Sequence, residues 1–198
     1  MHVINRVEGF VDLANTPGIP GREPCQGGWH PWIGEFARGL TVLDVGSGVS
    51  AIKEDLLTFG AKSVERQDAC TWCPVEIHEP ISPLVIRGQK WEVVTCLDVI
   101  EHIVDYGRFA RDLVNLSEWW VIVTTPGAFI THNANVHHYH EFLPNEVVQL
   151  FEAAGAGLHA IRFFRYSDGL VLDATGEEAR KHAATLLDVH PLGFVFSV

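Results

Sequence analysis

Apolar and polar positions along the chain fall into two alternating rhythms, and each rhythm names an element. Residues 3–14 put Val3, Val7, Phe10, Val11 and Ala14 roughly on one side of a short amphipathic helix. The next stretch, TPGIPGREPCQGGWHPW, carries Pro17, Gly18, Pro20, Gly21, Gly27, Gly28 and Pro31, a density that predicts irregular chain. Its Trp29, His30 and Trp32 read either as aromatic plugs on the edge of a core or as a flap over a ligand. From residue 40 strands and helices alternate. LTVLDVG (40–46) is a β-branched run stopped by glycine, and VSAIKEDLLTFGA (49–61) sets Ile52, Leu56, Leu57 and Phe59 for a helix ended at Gly60. KSVERQDA is a fainter strand, WEVVTCLD (91–98) a buried one, and a helix is predicted near 104–117. WWVIVTTPG (119–127) is the clearest strand, and PNEVVQLFEAAGAG (144–157) reads as a helix closed by glycine. LHAIRFFRYS, a helical EEARKHAATLLD and LGFVFSV follow. This alternation implies a mainly parallel sheet with helices on both faces and room for an antiparallel end.

Composition narrows the picture. The 198 residues suit one core, and 47% hydrophobic with 20% charged residues is a globular balance. Lys and Arg number 14 against 25 Asp and Glu, a net charge of −11. That balance disfavours affinity won by neutralising phosphates, so nucleic acid is not the expected partner, nor is an anionic membrane surface. No run approaches the ~18–20 apolar residues that span a bilayer, and Arg6, Glu8 and Asp12 interrupt any leader-like start. Cys25, Cys70, Cys73 and Cys96 are too sparse for a disulfide scaffold, so a soluble, cytoplasmic protein with reduced thiols is expected. The chain divides into a helix and Pro/Gly/Trp-rich cap at 1–39 and an α/β domain at 40–198.

Chemistry enters at Val42-Leu43-Asp44-Val45-Gly46-Ser47-Gly48. A buried strand ends on two glycines and a helix starts just beyond, which lets a ligand approach the backbone and the helix's unpaired N–H groups. In open α/β sheets the carboxyl ends of the strands are where ligands bind. Gly46 to Ala51 also fits G-x-G-x-x-G/A, with Asp68 about 20 positions on, as a dinucleotide site would have it. Two features speak for another cofactor: the carboxylate of Asp44 inside the strand, and Asp98-Val99-Ile100-Glu101-His102 directly after the second good strand.

VLDVGSG, WEVVTCLDVIEHI and WWVIVTTPG, in this order and spacing, resemble the class I S-adenosylmethionine-dependent methyltransferases. The resemblance is closest to the small-molecule branch with an "EH" after the fourth strand, and covers about residues 40–158. His138 to Val147 is similar to that branch's HVREFTPEEL segment. The resemblance implies a Rossmann-like fold with a seven-stranded sheet, mainly parallel, whose last strand is antiparallel. It implies that Asp44, Gly46, Ser47 and Gly48 hold the methionine half of S-adenosylmethionine, and that Asp68, with Glu65 as a rival, grips the ribose. Leu97 and Asp98 match the loop lining the cofactor pocket. Between Asp68 and Trp91 the family fits a further helix and strand, neither of which is plain here.

Because a sulfonium methyl is already electrophilic, the protein has mainly to align an acceptor atom with it. A hydroxyl acceptor also calls for a base, for which His102 and His138 are the catalytic candidates. Some relatives with E-x-x-E-H bind a divalent ion, and Glu101, His102 and His140 are the candidate ligands here. Cys70-Thr71-Trp72-Cys73 lacks a second pair and reads as two incidental thiols. The leading expectation is methyl transfer to a small-molecule acceptor, at a hydroxyl oxygen. The alternatives are an NAD-type oxidoreductase, a catalytically silent binding domain and an RNA ribose 2′-O-methyltransferase. Thr124-Thr125-Pro126-Gly127 is not the N/D-P-P-Y/F that serves exocyclic base amines.

Overall fold

The computed structural model of the chain describes residues 23–131, 135–165 and 171–198. The helix expected at 3–14 lies outside the described residues. In chain order the elements are α1 (Glu23–Ala37), β1 (Thr41–Val45), α2 (Ile52–Thr58), β2 (Ser63–Gln67), α3 (Ile81–Ile86) and β3 (Trp91–Leu97). A 3₁₀ turn (Ile100–His102) follows, then α4 (Tyr106–Leu116), β4 (Ser117–Thr125), α5 (Ala128–Thr131) and α6 (Pro144–Ala153). The chain closes with β5 (Gly157–Arg165), β6 (Val171–Thr175), α7 (Gly176–Thr185) and β7 (Val189–Ser197).

The seven strands form one sheet in the order β2-β1-β3-β4-β7-β5-β6. Strands β1 to β4 are parallel, β7 runs against both β4 and β5, and β6 runs against β5. Alternation along β1 divides the core: Leu43 and Val45 face one side and Val42 the other. On the first side, Ile81, Leu113, Val147, Phe151 and Ala183 bring α3, α4, α6 and α7 onto the sheet. On the second, Trp29, Trp32, Ile33 and Ala37 of α1 join Ile52 and Leu56 of α2 over Val42, Val93, Ile122 and Val195. Burial on both faces explains why the central strands read as continuous apolar runs.

The seven-stranded sheet with its antiparallel last strand is as expected, one expectation needs correcting, and two features were absent from the sequence reading. The Pro/Gly-rich stretch is helical over Glu23–Ala37, with Pro31 inside the helix. Trp29, Trp32, Ile33 and Ala37 recur at helical spacing and are all buried, so tertiary packing outweighs local propensity. Gly193 shows how closely this helix docks: a Cβ there would lie 2.3 Å from the Trp29 ring. The tryptophans are thus core plugs. Second, the segment between Asp68 and Trp91 supplies the helix α3 but, among the described residues, only an isolated parallel bridge of Gln67 with Ile77 in place of a strand. Third, the seventh strand is β6, at the opposite edge of the sheet. Its burial is slight, with Ala174 its one buried residue, which is why no apolar run announced it.

Candidate active site

Parallel strands deliver the ends of β1, β2, β3 and β4 to one edge of the sheet, and the sequence-predicted residues collect there in two groups. The first is the turn after β1. Gly46 and Ser47 donate their N–H groups to the Gln67 carbonyl at 2.9 and 3.0 Å, tying the turn to the end of β2. Gly46 has φ of 71°, and a Cβ at that position would meet Val99 at 2.6 Å, so conformation and space both require glycine. Asp68, just past β2, accepts from Gly48 N at 3.0 Å through one oxygen and from Cys70 N at 2.8 Å through the other. Glu65 sits in the middle of β2 and is exposed, away from this edge. Leu97 ends β3, partly buried against the α1 side of the core.

Asp44 is buried and accepts from the Thr95 hydroxyl at 2.6 Å. Burial pushes its carboxyl up to about 6; the nearby Ser47 and Thr95 hydroxyls and the charges of His30 and Arg66 pull the other way. The Ser47 hydroxyl lies near this carboxyl but meets no partner at hydrogen-bonding geometry. It is the one buried side-chain polar atom in that condition among the described residues. A buried acid beside an orphaned hydroxyl, next to a turn with room only for glycine, is what a small polar ligand carrying a cation would complete.

The second group surrounds the turn after β3. Asp98 has φ of 54°, a strained backbone for a non-glycine residue, and is held by mutual hydrogen bonds with Thr124. Glu101 is buried and accepts from the Thr125 hydroxyl at 3.2 Å. Burial, then the charge of Asp98, holds the Glu101 carboxyl well above its usual range; Glu141 adds to this, while hydrogen bonds to its own backbone and to Thr125 oppose it. The chain beyond α5 folds back over this turn. Tyr139 N donates to the Glu101 carbonyl at 2.7 Å, and His102 Nδ1 bonds the His137 carbonyl at 3.0 Å. The His102 and His138 rings meet edge to face at 4.8 Å.

His138 is pinned on both sides. Its Nδ1 lies 2.6 Å from Glu141 Oε1, and its Nε2 lies 2.9 Å from Asn135 Nδ2. Glu141 is 2% exposed and also accepts from the Thr131 hydroxyl. Sequence reasoning missed Glu141 and Asn135. The His-x-x-Glu spacing of His138 and Glu141 was the signal that pointed to the first. His140, expected beside Glu101, is elsewhere: its ring stacks on Tyr106 at 5.4 Å and its Nε2 lies 3.4 Å from Glu146. Tyr139 N and His140 N both donate to the Glu101 carbonyl, yet the His138 and His140 side chains meet different partners.

Ligand atoms of Glu101, His102 and His138 lie within 4.8 Å of one another. A cation there would have to take one His138 nitrogen from Asn135 or Glu141, and would offset the burial and Asp98 charge that raise the Glu101 carboxyl. Cys70 and Cys73 are buried with Val75, and burial with the neighbouring Cys70 thiol and Asp68 pushes Cys73 up to about 12. That leaves it an inert thiol. No helix among the described residues is long and apolar enough to cross a membrane.

No protein-family model matches the chain. The ubiquinone biosynthesis O-methyltransferase of Methylobacterium sp. (strain 4-46) is 28% identical over 97 residues, which are 42% of this chain and 39% of that protein. The match therefore spans about two fifths of that relative's length. Among solved structures, an S-adenosylmethionine-dependent methyltransferase from Archaeoglobus fulgidus superposes with a TM-score of 0.66 at 13% identity, covering 90% of this chain and 95% of that one. Magnesium protoporphyrin IX methyltransferase from Synechocystis PCC 6803, solved with bound S-adenosylhomocysteine, gives 0.59 at 14% identity over 89% of this chain and 83% of its own. The chain has the fold of the S-adenosylmethionine-dependent methyltransferases.

Proposed function

We propose that the protein is an S-adenosylmethionine-dependent methyltransferase acting on a hydroxyl oxygen of a small-molecule acceptor. The observation that carries this reading is the meeting, at one sheet edge, of the glycine turn with its buried acids and an imidazole pair. Bound S-adenosylmethionine supplies an activated methyl group on a cationic sulfonium. Asp44 and the orphaned Ser47 hydroxyl suit its ammonium-bearing end, and the Gly46–Gly48 backbone lies alongside. Asp68, fixed by Gly48 and Cys70, suits the ribose hydroxyls, and Leu97 and Asp98, at the end of β3, suit the border of such a site. His102 and His138 supply nitrogen bases at the neighbouring strand end, the group a hydroxyl acceptor needs and an amine does not. The O-methyltransferase name of the curated relative supports oxygen as the atom methylated.

The experiment has two readouts. S-adenosylhomocysteine should bind in a calorimeter with one site per chain, and no binding would sink the cofactor assignment. Isotopically labelled S-adenosylmethionine, incubated with the protein and fractionated cell extract, should label the small-molecule fraction. Label in the RNA fraction alone would overturn the acceptor class. Binding without any labelled product would mark a silent binding domain instead.

A further inference from the structure

Glu141 and Asn135 meet the two nitrogens of His138, and together they define its chemistry. Asn135 Oδ1 accepts from His137 N at 3.0 Å, which fixes the orientation of the amide. Its Nδ2 is therefore the atom 2.9 Å from His138 Nε2. Two N–H groups cannot face each other, so Nε2 carries the lone pair and the ring proton is on Nδ1. Nδ1 faces Glu141 Oε1 at 2.6 Å, and the second Glu141 oxygen takes the Thr131 hydroxyl. The Glu141 side chain is fully buried and that of His138 nearly so, at 9% exposed.

We infer that Glu141 is the positioning residue that holds His138 with its basic nitrogen at Nε2, and that the Asn135 amide occupies the place from which the acceptor's hydroxyl gives up its proton. This rests on the methyltransferase reading above. An N–H donor at 2.9 Å has the separation that an acceptor O–H requires of its base. On binding, the hydroxyl replaces the amide. Its oxygen lone pair forms the new bond to the methyl carbon as the sulfur–carbon bond breaks, leaving that electron pair on sulfur. The hydroxyl proton passes to Nε2, and the imidazolium so formed faces the Glu141 carboxylate across Nδ1. The proton then leaves to water, restoring the starting ring. The arrangement selects acceptors with an acidic O–H donor, such as a phenol or enol, over amines, whose attacking nitrogen gains nothing from a base before transfer. His102 contributes from the side, because its bond to the His137 carbonyl holds the turn that carries Asn135.

Nitrogen-15 NMR of the wild-type protein bound to S-adenosylhomocysteine reads the tautomer directly. The expected spectrum has a protonated Nδ1 and an unprotonated Nε2 at His138, and the opposite tautomer overturns the inference. Asn135→Asp replaces the facing donor by an acceptor. Nε2 is then protonated at rest, and label transfer into the small-molecule fraction should fall about a hundredfold, the scale of a lost general base. Its S-adenosylhomocysteine affinity should stay within about twofold of wild type, since the substitution alters a donor and not the glycine turn. Asn135→Ala removes the amide to be displaced, so transfer at limiting acceptor should rise about two- to tenfold, the worth of one hydrogen bond. Glu141→Gln should lower turnover more than it raises the acceptor concentration needed. Equal transfer by the Asp and Ala variants would overturn the inference. A wild-type protein that binds S-adenosylhomocysteine but labels nothing would sink the methyltransferase reading, while the tautomer would still be read.

Discussion

The two halves of the site edge are held by different kinds of bond. Around the glycine turn, Asp44 to Gly48 and Gln67 to Asp68 are continuations of neighbouring paired strands, so the ladder between β1 and β2 sets their register. Around the histidines, Glu101 and His102 follow β3, while Asn135, His138 and Glu141 arrive on a loop some 35 residues later in sequence, held by side-chain contacts and by backbone bonds to the single Glu101 carbonyl. One half inherits its geometry from the sheet. The other assembles its own, and single substitutions should disturb it without unfolding the frame.

Gly46→Arg is the largest test of that contrast. The side chain would have to enter a left-handed backbone position and displace Val99, which a Cβ alone already approaches at 2.6 Å. Loss of S-adenosylhomocysteine binding beyond calorimetric detection is expected. The His138 tautomer should stay as in the wild type if the halves are as separate as their bonding says. Retained affinity would refute the pocket assignment. His138→Ala comes next. Removing a general base lowers turnover by about a hundred- to ten-thousandfold. Cofactor affinity should remain near wild type, and equal rates would remove His138 as the base.

The same contrast explains what could be read from the sequence. VLDVGSG is legible because strand-end residues stay contiguous, and Asp68 could be placed beside it from the end of the next strand. Asp44 stood out because a carboxylate inside an apolar strand has to be compensated. Asn135 was not legible, and Glu141 only through its His-x-x-Glu spacing: what they do together depends on a loop crossing back to Glu101, which no local pattern encodes. His140 was misplaced for the same reason, since two residues further along the turn the side chain goes to Tyr106 and Glu146. The helix at Glu23–Ala37 was hidden by its prolines and glycines, because what holds it is the close seat of Trp29 on Gly193. The β6 strand was hidden by the opposite circumstance, an edge with little to bury.

Asp44→Asn gives a smaller, pH-dependent effect confined to the glycine half. Asp44 has its carboxyl raised from 3.8 to about 6 in the folded chain. The native state therefore binds more protons than the unfolded one across that interval, and stability falls as pH rises through it. Above about 6 the cost of the buried charge is complete, up to about 3 kcal/mol for a shift of this size. The neutral variant should be more stable than wild type at pH 7.5 by a margin of that order or less. The margin should vanish below about pH 4, where both side chains are uncharged. Denaturant unfolding across pH checks it, and a margin that does not change with pH would show that the burial of Asp44 is compensated elsewhere. The same variant should bind S-adenosylhomocysteine poorly, so that stability and affinity move in opposite directions at one residue.

The smallest expected effect concerns the histidine half, and its value lies in being nil. Glu101, His102 and His138 come as close together as ligands do, within 4.8 Å, and a cation there would make the two halves one electrostatic unit. It would have to take His138 Nε2 from Asn135 or Nδ1 from Glu141, and it would have to ionise a Glu101 that burial and the Asp98 charge hold toward the neutral acid. Each step costs energy that the separate arrangement does not spend. Dialysis against EDTA should therefore leave S-adenosylhomocysteine affinity, label transfer and the His138 tautomer unchanged, and manganese titrated into the dialysed protein should release no binding heat. A stoichiometric ion in the purified protein, with activity lost on chelation, would show that Asn135 yields to a cation and not to an acceptor hydroxyl, and would make His138 a ligand in place of the base proposed above.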